Sequence, residues 1–251
     1  MTTRCPINGE RLWRTLMEMA EIGATERGGS CRLALTDADR AGRERFMAWA
    51  AEAGYSMQTD ALGNLWVRRP GSDDSLNPVV MGSHLDTQPT GGRFDGVLGV
   101  LAGLEVLRSL DDHGITTRHP VEVAVWMNEE GSRFSPPMMG SGVWSGAFDA
   151  QEVLDKIGQD GARLGDELAR LGWTGMSRRI TAPTPRPPAS SCTSSRARCS
   201  RTPAAPSAWS PAPRASTGTS SPSPARRPMP APPPCTCAGT RWWAPPGWWR
   251  Q

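Results

Sequence analysis

Apolar residues along the first part of the chain alternate between two periods, and the elements follow from them. Leu12, Leu16, Met19 and Ala20 recur at helical spacing and predict a helix from Asn8 to about Ile22. Thr36-Asp37-Ala38-Asp39 has the form of a helix start, a hydroxyl N-cap with a carboxylate three residues on. The helix it opens should carry Phe46, Met47, Trp49 and Ala50 and stop at Gly54. Asn64 to Arg68 reads as a short strand, and Asn77-Pro78 as a turn. Val79-Val80-Met81-Gly82-Ser83 is a continuous apolar run suited to a buried strand. Val97 to Leu110 is an amphipathic helix through Val97, Val100, Leu101, Leu104 and Leu107, and Val121 to Met127 is a second buried strand. Two weaker helices follow at about Ala150–Ile157 and Leu164–Leu171. Strand, long helix and strand form a βαβ unit, which predicts an α/β domain with a mostly parallel sheet. In such sheets ligands gather beyond the carboxyl ends of the strands.

Composition changes abruptly after this region. All 25 acidic residues lie at or before Glu167, whereas residues 168–251 carry 12 Arg and no acid. The last Leu is Leu171, and 17 of the 24 prolines lie from Pro183 onward. The net +3 is therefore the sum of an acidic part and a basic part. Almost no aliphatic side chain remains after residue 175 to build a core, so residues 176–251 are expected to be a disordered Pro-, Arg- and Ser-rich tail. Its arginines are scattered among prolines without a nucleic-acid-binding repeat, and no nucleic-acid partner is expected. No apolar run is long enough for a membrane span and no secretory leader is evident. Cys5 and Cys31 form no disulfide framework, which favours the cytoplasm. Cys235-Thr-Cys237 lacks the spacing of a zinc knuckle, and no His follows His119.

The chemistry collects at the predicted strand ends. The first strand runs into Ser83-His84-Leu85-Asp86-Thr87, where the imidazole is a natural metal ligand and Asp86 is placed to accept its other ring N–H. A solvated His–Asp pair is the plainer alternative. Gly91-Gly92-Arg93-Phe94-Asp95-Gly96 precedes the long helix; Asp95 sits in its N-cap region, and capping alone would account for one Asp. The second strand ends in Asn128-Glu129-Glu130-Gly131, adjacent carboxylates that are costly unless a cation or proton compensates them. Each has an ordinary explanation singly. Together they place three metal-type groups around one βαβ unit, with Glu129 the candidate base. Imidazole and carboxylate ligands suit zinc, manganese, cobalt or nickel without separating them.

GSHLDTQPTGGRFDGVLGVLAGLEVL, WMNEEGSRF, DADRAGRERFMAWAAEAG, TDALGNLWVRRPG and PPMMGSGVWSGAF resemble the carbamoylase branch of the co-catalytic metallopeptidase superfamily. That branch contains N-carbamoyl-L-amino-acid hydrolases, β-ureidopropionases and allantoate amidohydrolases. The likeness covers about residues 8–175. It implies that His84 ligates one metal, Asp95 bridges two, Glu130 ligates the other, Glu129 is the general base and Asp86 orients His84. It also implies a pair of divalent ions, a small ureido-acid substrate, and a homodimer held by a second domain.

The family should continue with a ligand word like ELHIEQG and a later EAHAG, and neither is present as protein. Read one base out of frame, Ser190 to Thr202 (SSCTSSRARCSRT) is compatible with FELHIEQGPVLED, and the stretch after Ala208 with a segment containing EAHAG. The sequence is therefore expected to comprise a partial catalytic domain over residues 1–175 and an out-of-frame tail over 176–251. Such a chain should hold at most one cation, lack the dimerisation domain and be inactive.

Overall fold

The computed structural model describes residues 5–173. The expectations for residues 176–251 lie outside the described residues. Among the described residues, six helices and four strands follow in the order α1 (Gly9–Glu21), α2 (Asp37–Glu52), β1 (Ser56–Thr59), β2 (Leu65–Arg69), β3 (Val79–His84), α3 (Val97–Asp112), β4 (Val121–Trp126), α4 (Met139–Ser145), α5 (Ala150–Leu154) and α6 (Leu164–Arg170).

Local chemistry accounts for the ends of these elements. Asn8 caps α1 by accepting from the Arg11 N–H, and Thr36 caps α2 by accepting from the Asp39 N–H. Asp39 departs from the reciprocal capping box: its carboxylate accepts from the Leu35 N–H instead. The chain leaves α2 through Gly54 in the left-handed region (φ +77°).

The sheet has the order β1-β2-β4-β3. β3 and β4 are parallel and joined by α3, as the βαβ pattern requires, with His84 opposite Trp126. β1–β2 and β2–β4 are antiparallel, so the described sheet is mixed rather than mostly parallel. The reason is the tight 60–64 turn, in which Asp60 accepts from the N–H groups of Leu62 and Asn64 and folds β1 straight back on β2. β4 is buried throughout, but β3 is not the fully buried strand its apolar run implies. It lies at the sheet edge, 54% exposed at Val79 and buried only at Ser83 and His84.

Odd-numbered positions of the central strands (Leu65, Val67, Val121, Val123, Val125) face α1, α2 and α3 and form the main core with Leu16, Phe46, Trp49, Val100 and Leu104. Gly103 lets α3 sit close on Val123; a methyl there would meet both Val methyls at 3.1–3.2 Å. Trp66, Ala124 and Trp126 pack on the opposite face with Val80 and Trp144. A second core joins Met127 and Phe134 to Met139, Val143, Val153, Leu164 and Leu168 of α4–α6. It anchors the segment that leaves the carboxyl end of β4.

Candidate metal centre

The carboxyl ends of β3 and β4 lie side by side, and buried polar groups fix both. Arg32 is fully buried; its Nε–H donates to the Leu85 carbonyl at 3.2 Å, and its Nη1 donates to the Ile22 carbonyl at the end of α1. Burial lowers its pKa, opposed by Asp39 and Asp86. Arg43 of α2, equally buried, pairs with Asp39 and donates to the carbonyls of Gly63 (2.7 Å) and Trp126 (3.4 Å). Asn64 accepts from the Met127 N–H and donates to Asp60 and to the Gly140 carbonyl. Strand-end carbonyls that would otherwise need water thus have fixed partners.

His84 ends β3 and is fully buried. Its Nδ1 lies 2.8 Å from the Asp86 carbonyl oxygen, which only accepts, so in the neutral ring Nδ1 carries the proton and the Nε2 lone pair faces the site. The Asp86 carboxylate does not take the ring N–H, contrary to expectation: it is 3.8 Å away and accepts instead from the backbone N–H groups of Glu129 (3.3 Å) and Glu130 (3.1 Å). The turn in the chain directly after His84 presents the carbonyl first. Burial raises the Asp86 pKa to about 6, against the pull of His84.

Asp95 precedes α3. Gly96 rather than Asp95 is the N-cap residue, because the Val97 N–H bonds back to the Asp95 carbonyl at 2.7 Å in a tight three-residue turn. Gly96 there has φ +68°, and a Cβ on it would lie 2.5 Å from Nδ1 and Nε2 of His84. The glycine is what lets the helix start approach the imidazole. Glu130 accepts from the Gln88 amide at 3.0 Å.

Ligand atoms of His84, Asp95 and Glu130 lie within 4.8 Å of one another. Glu129 adjoins them, with Oε2 3.3 Å from Nε2 of His84. Burial raises the Glu129 pKa, opposed by His84 and reinforced by Glu130 and Asp95. Burial disfavours charge on His84, but Asp86, Glu129 and Glu130 outweigh it and raise its pKa. Nε2 is buried without a hydrogen-bond partner. A buried lone pair among carboxylates fits a cation, and the donor set fits a borderline divalent metal.

Residues 80–203 match the family described as Peptidase family M20/M25/M40, a stretch that extends past the described residues. An N-carbamoyl-L-amino-acid amidohydrolase of Rhizobium meliloti is 52% identical over 67% of the chain and 41% of its own length. The chain carries a peptidase M20 domain. A crystal structure of a hydantoinase/carbamoylase family amidase from Burkholderia ambifaria superposes on it with a TM-score of 0.70 at 52% identity, covering 72% of the chain and 44% of the amidase. A ureidoglycolate hydrolase of Oryza sativa is 32% identical over 66% of the chain and 35% of its own length. The chain spans about two fifths of the length of the curated relatives it matches. Around the site, sequence reasoning missed Gln88, Arg32, Arg43 and Asn64. The glycines flanking Asp95 were visible, but the imidazole packed on Gly96 was not.

Proposed function

We propose that residues 1–175 are the front part of the catalytic domain of a metal-dependent amidohydrolase. Its reaction is cleavage of a linear C–N bond in an N-carbamoyl-L-amino acid, giving the amino acid, carbon dioxide and ammonia. One observation carries this reading: three ligand atoms from His84, Asp95 and Glu130 converge within 4.8 Å while a fourth carboxylate, Glu129, adjoins them. His84, Asp95 and Glu130 would hold zinc, manganese, cobalt or nickel, and a bound cation would supply polarisation of the scissile carbonyl and acidification of a water. Glu129, whose pKa burial raises, would take a proton from the attacking water and return one to the leaving nitrogen. Asp95 and Glu130 offset the cation's charge, and the buried arginines keep the strand ends from shifting. A second reading within the same chemistry is allantoate or a β-ureido acid as substrate; the ureidoglycolate hydrolase relative supports a ureido acid only in general.

We further propose that residues 176–251 are read out of frame, so that the ligand words the family implies are not present as protein in that stretch. The nucleotide sequence across codons 170–195 tests this directly. The chain as it stands should bind at most one divalent cation and turn over neither N-carbamoyl amino acids nor allantoate. The protein with its frame restored should hydrolyse at least one of them with added manganese, zinc, cobalt or nickel. Turnover by the unrepaired chain, or two tight sites in calorimetry, would contradict the proposal.

A further inference from the structure

We propose that Asp86 divides its work between backbone and side chain: its carbonyl oxygen holds the imidazole of His84, while its carboxylate ties the end of β3 to the backbone of Glu129 and Glu130. The second role makes Asp86 a positioning residue for the two glutamates rather than for the histidine. Its consequence for metal binding rests on the reading of His84, Asp95 and Glu130 as ligands.

The geometry separates the two roles. Nδ1 of His84 is 2.8 Å from the Asp86 carbonyl and 3.8 Å from the nearer carboxylate oxygen, beyond hydrogen-bonding reach. Each carboxylate oxygen has its own donor, Oδ1 taking the Glu129 N–H and Oδ2 the Glu130 N–H. Successive N–H groups of an extended strand point in opposite directions, so two of them meet one carboxylate only where the chain turns. Asn128 makes that turn, with φ +49°, and is held by its amide donating to the Phe134 carbonyl at 2.7 Å. Asp86 is 1% exposed, so its oxygens and not bulk solvent satisfy these two N–H groups. A carboxylate is the one side chain of this length that offers two acceptors and no donor; an amide aims N–H bonds at one of the two backbone donors. Glu129 and Glu130 therefore take their backbone position from residue 86, whereas the direction of the imidazole does not depend on that side chain.

The unaltered chain tests this by hydrogen-bond scalar couplings in isotope-labelled protein. Couplings are expected from the Glu130 amide nitrogen to the Asp86 carboxyl carbon, and from His84 Nδ1 to the Asp86 carbonyl carbon. In Asp86→Asn and Asp86→Ala, the amides of Glu129 and Glu130 should exchange faster while Val123 and Val125 stay protected. The neutral His84 ring should keep its Nδ1–H tautomer, read from its ring nitrogens at a pH where the imidazole is deprotonated, although loss of the Asp86 charge lowers its pKa. Zinc affinity should fall about 10–100-fold, the usual effect of losing an outer partner of a metal site. A switch of the His84 tautomer in the variants, with the glutamate amides unchanged, overturns the proposal. So does a wild-type coupling from Nδ1 to the carboxyl carbon, which decides the matter even if neither variant folds. If the wild-type chain takes up no zinc, the metal reading fails and the couplings still judge this one.

Discussion

Substituting Gly96 with alanine perturbs the centre without replacing any ligand. The new Cβ would lie 2.5 Å from two nitrogens of the His84 ring. Carbon contacts settle near 3.5–4.0 Å, so either the ring or the start of α3 must move by about 1 Å. Neither moves freely, since Nδ1 is tied to the Asp86 carbonyl and α3 is anchored by Val97, Val100 and Leu101 in the core. The backbone resists as well: φ +68° with ψ −51° is a conformation that residues with a side chain adopt at a cost of about 1–3 kcal/mol. Overpacking adds about 1–3 kcal/mol, for a loss of about 2–6 kcal/mol, or roughly 5–20 °C in Tm for a domain of this size. Displacing His84 itself should weaken zinc binding by at least the ~10–100-fold seen when an outer partner is lost. Gly92→Ala is the control, because a Cβ there meets nothing within 4 Å; its stability should stay within about 0.5 kcal/mol of wild type. Thermal unfolding and zinc competition with a chromophoric chelator measure both quantities. If Gly96→Ala matches Gly92→Ala in both, the close approach of helix and imidazole is not what holds the site.

Other expectations follow from the same geometry. Arg43→Leu strands the carboxylate of Asp39, which is 0% exposed, and should cost about 3–5 kcal/mol in urea unfolding; a loss under about 1 kcal/mol would show that the pair is not supporting β4. Glu129→Gln in the frame-restored protein should abolish turnover with metal content intact, and residual activity near wild type would remove Glu129 from the role of base. The carboxylates around His84 raise its pKa against the effect of burial, so the metal-free ring keeps its second proton to higher pH than a free imidazole. Zinc must displace that proton. Affinity should therefore keep rising with pH above the ordinary histidine range, with proton release visible as a dependence of the calorimetric enthalpy on buffer, and a flat profile would contradict the assignment.

The sequence made the βαβ unit legible because Val97–Leu110 keeps an uninterrupted helical period and both flanking strands are apolar runs. It also showed the capped start of α2, whose signal is local. β1 was missed because Ser56-Met57-Gln58-Thr59 is mostly polar and half exposed, and its strand state is imposed by pairing with β2. α4 was missed because MGSGVWS contains two glycines, and it owes its helical form to packing under β4. At the site, residue types at strand ends pointed to His84, Asp95, Glu129 and Glu130. The groups that hold them were hidden, since a buried arginine such as Arg32 reads in sequence as a surface residue and its carbonyl partners come from distant segments. For Asp86 the sequence showed a carboxylate near an imidazole; only the path of the chain reveals that the carbonyl arrives first.

His84, Asp95 and Glu130 all come from one strand–helix–strand stretch between residues 84 and 130. This has a consequence for folding. The ligand set comes together only when β3 and β4 pair in parallel across the α3 crossover, a pairing between segments about 40 residues apart and so among the slower steps of folding. A cation captured by this unit favours its folded form by mass action, in proportion to the free metal concentration. Supply of metal during synthesis would then act on the yield of folded polypeptide before any question of turnover arises.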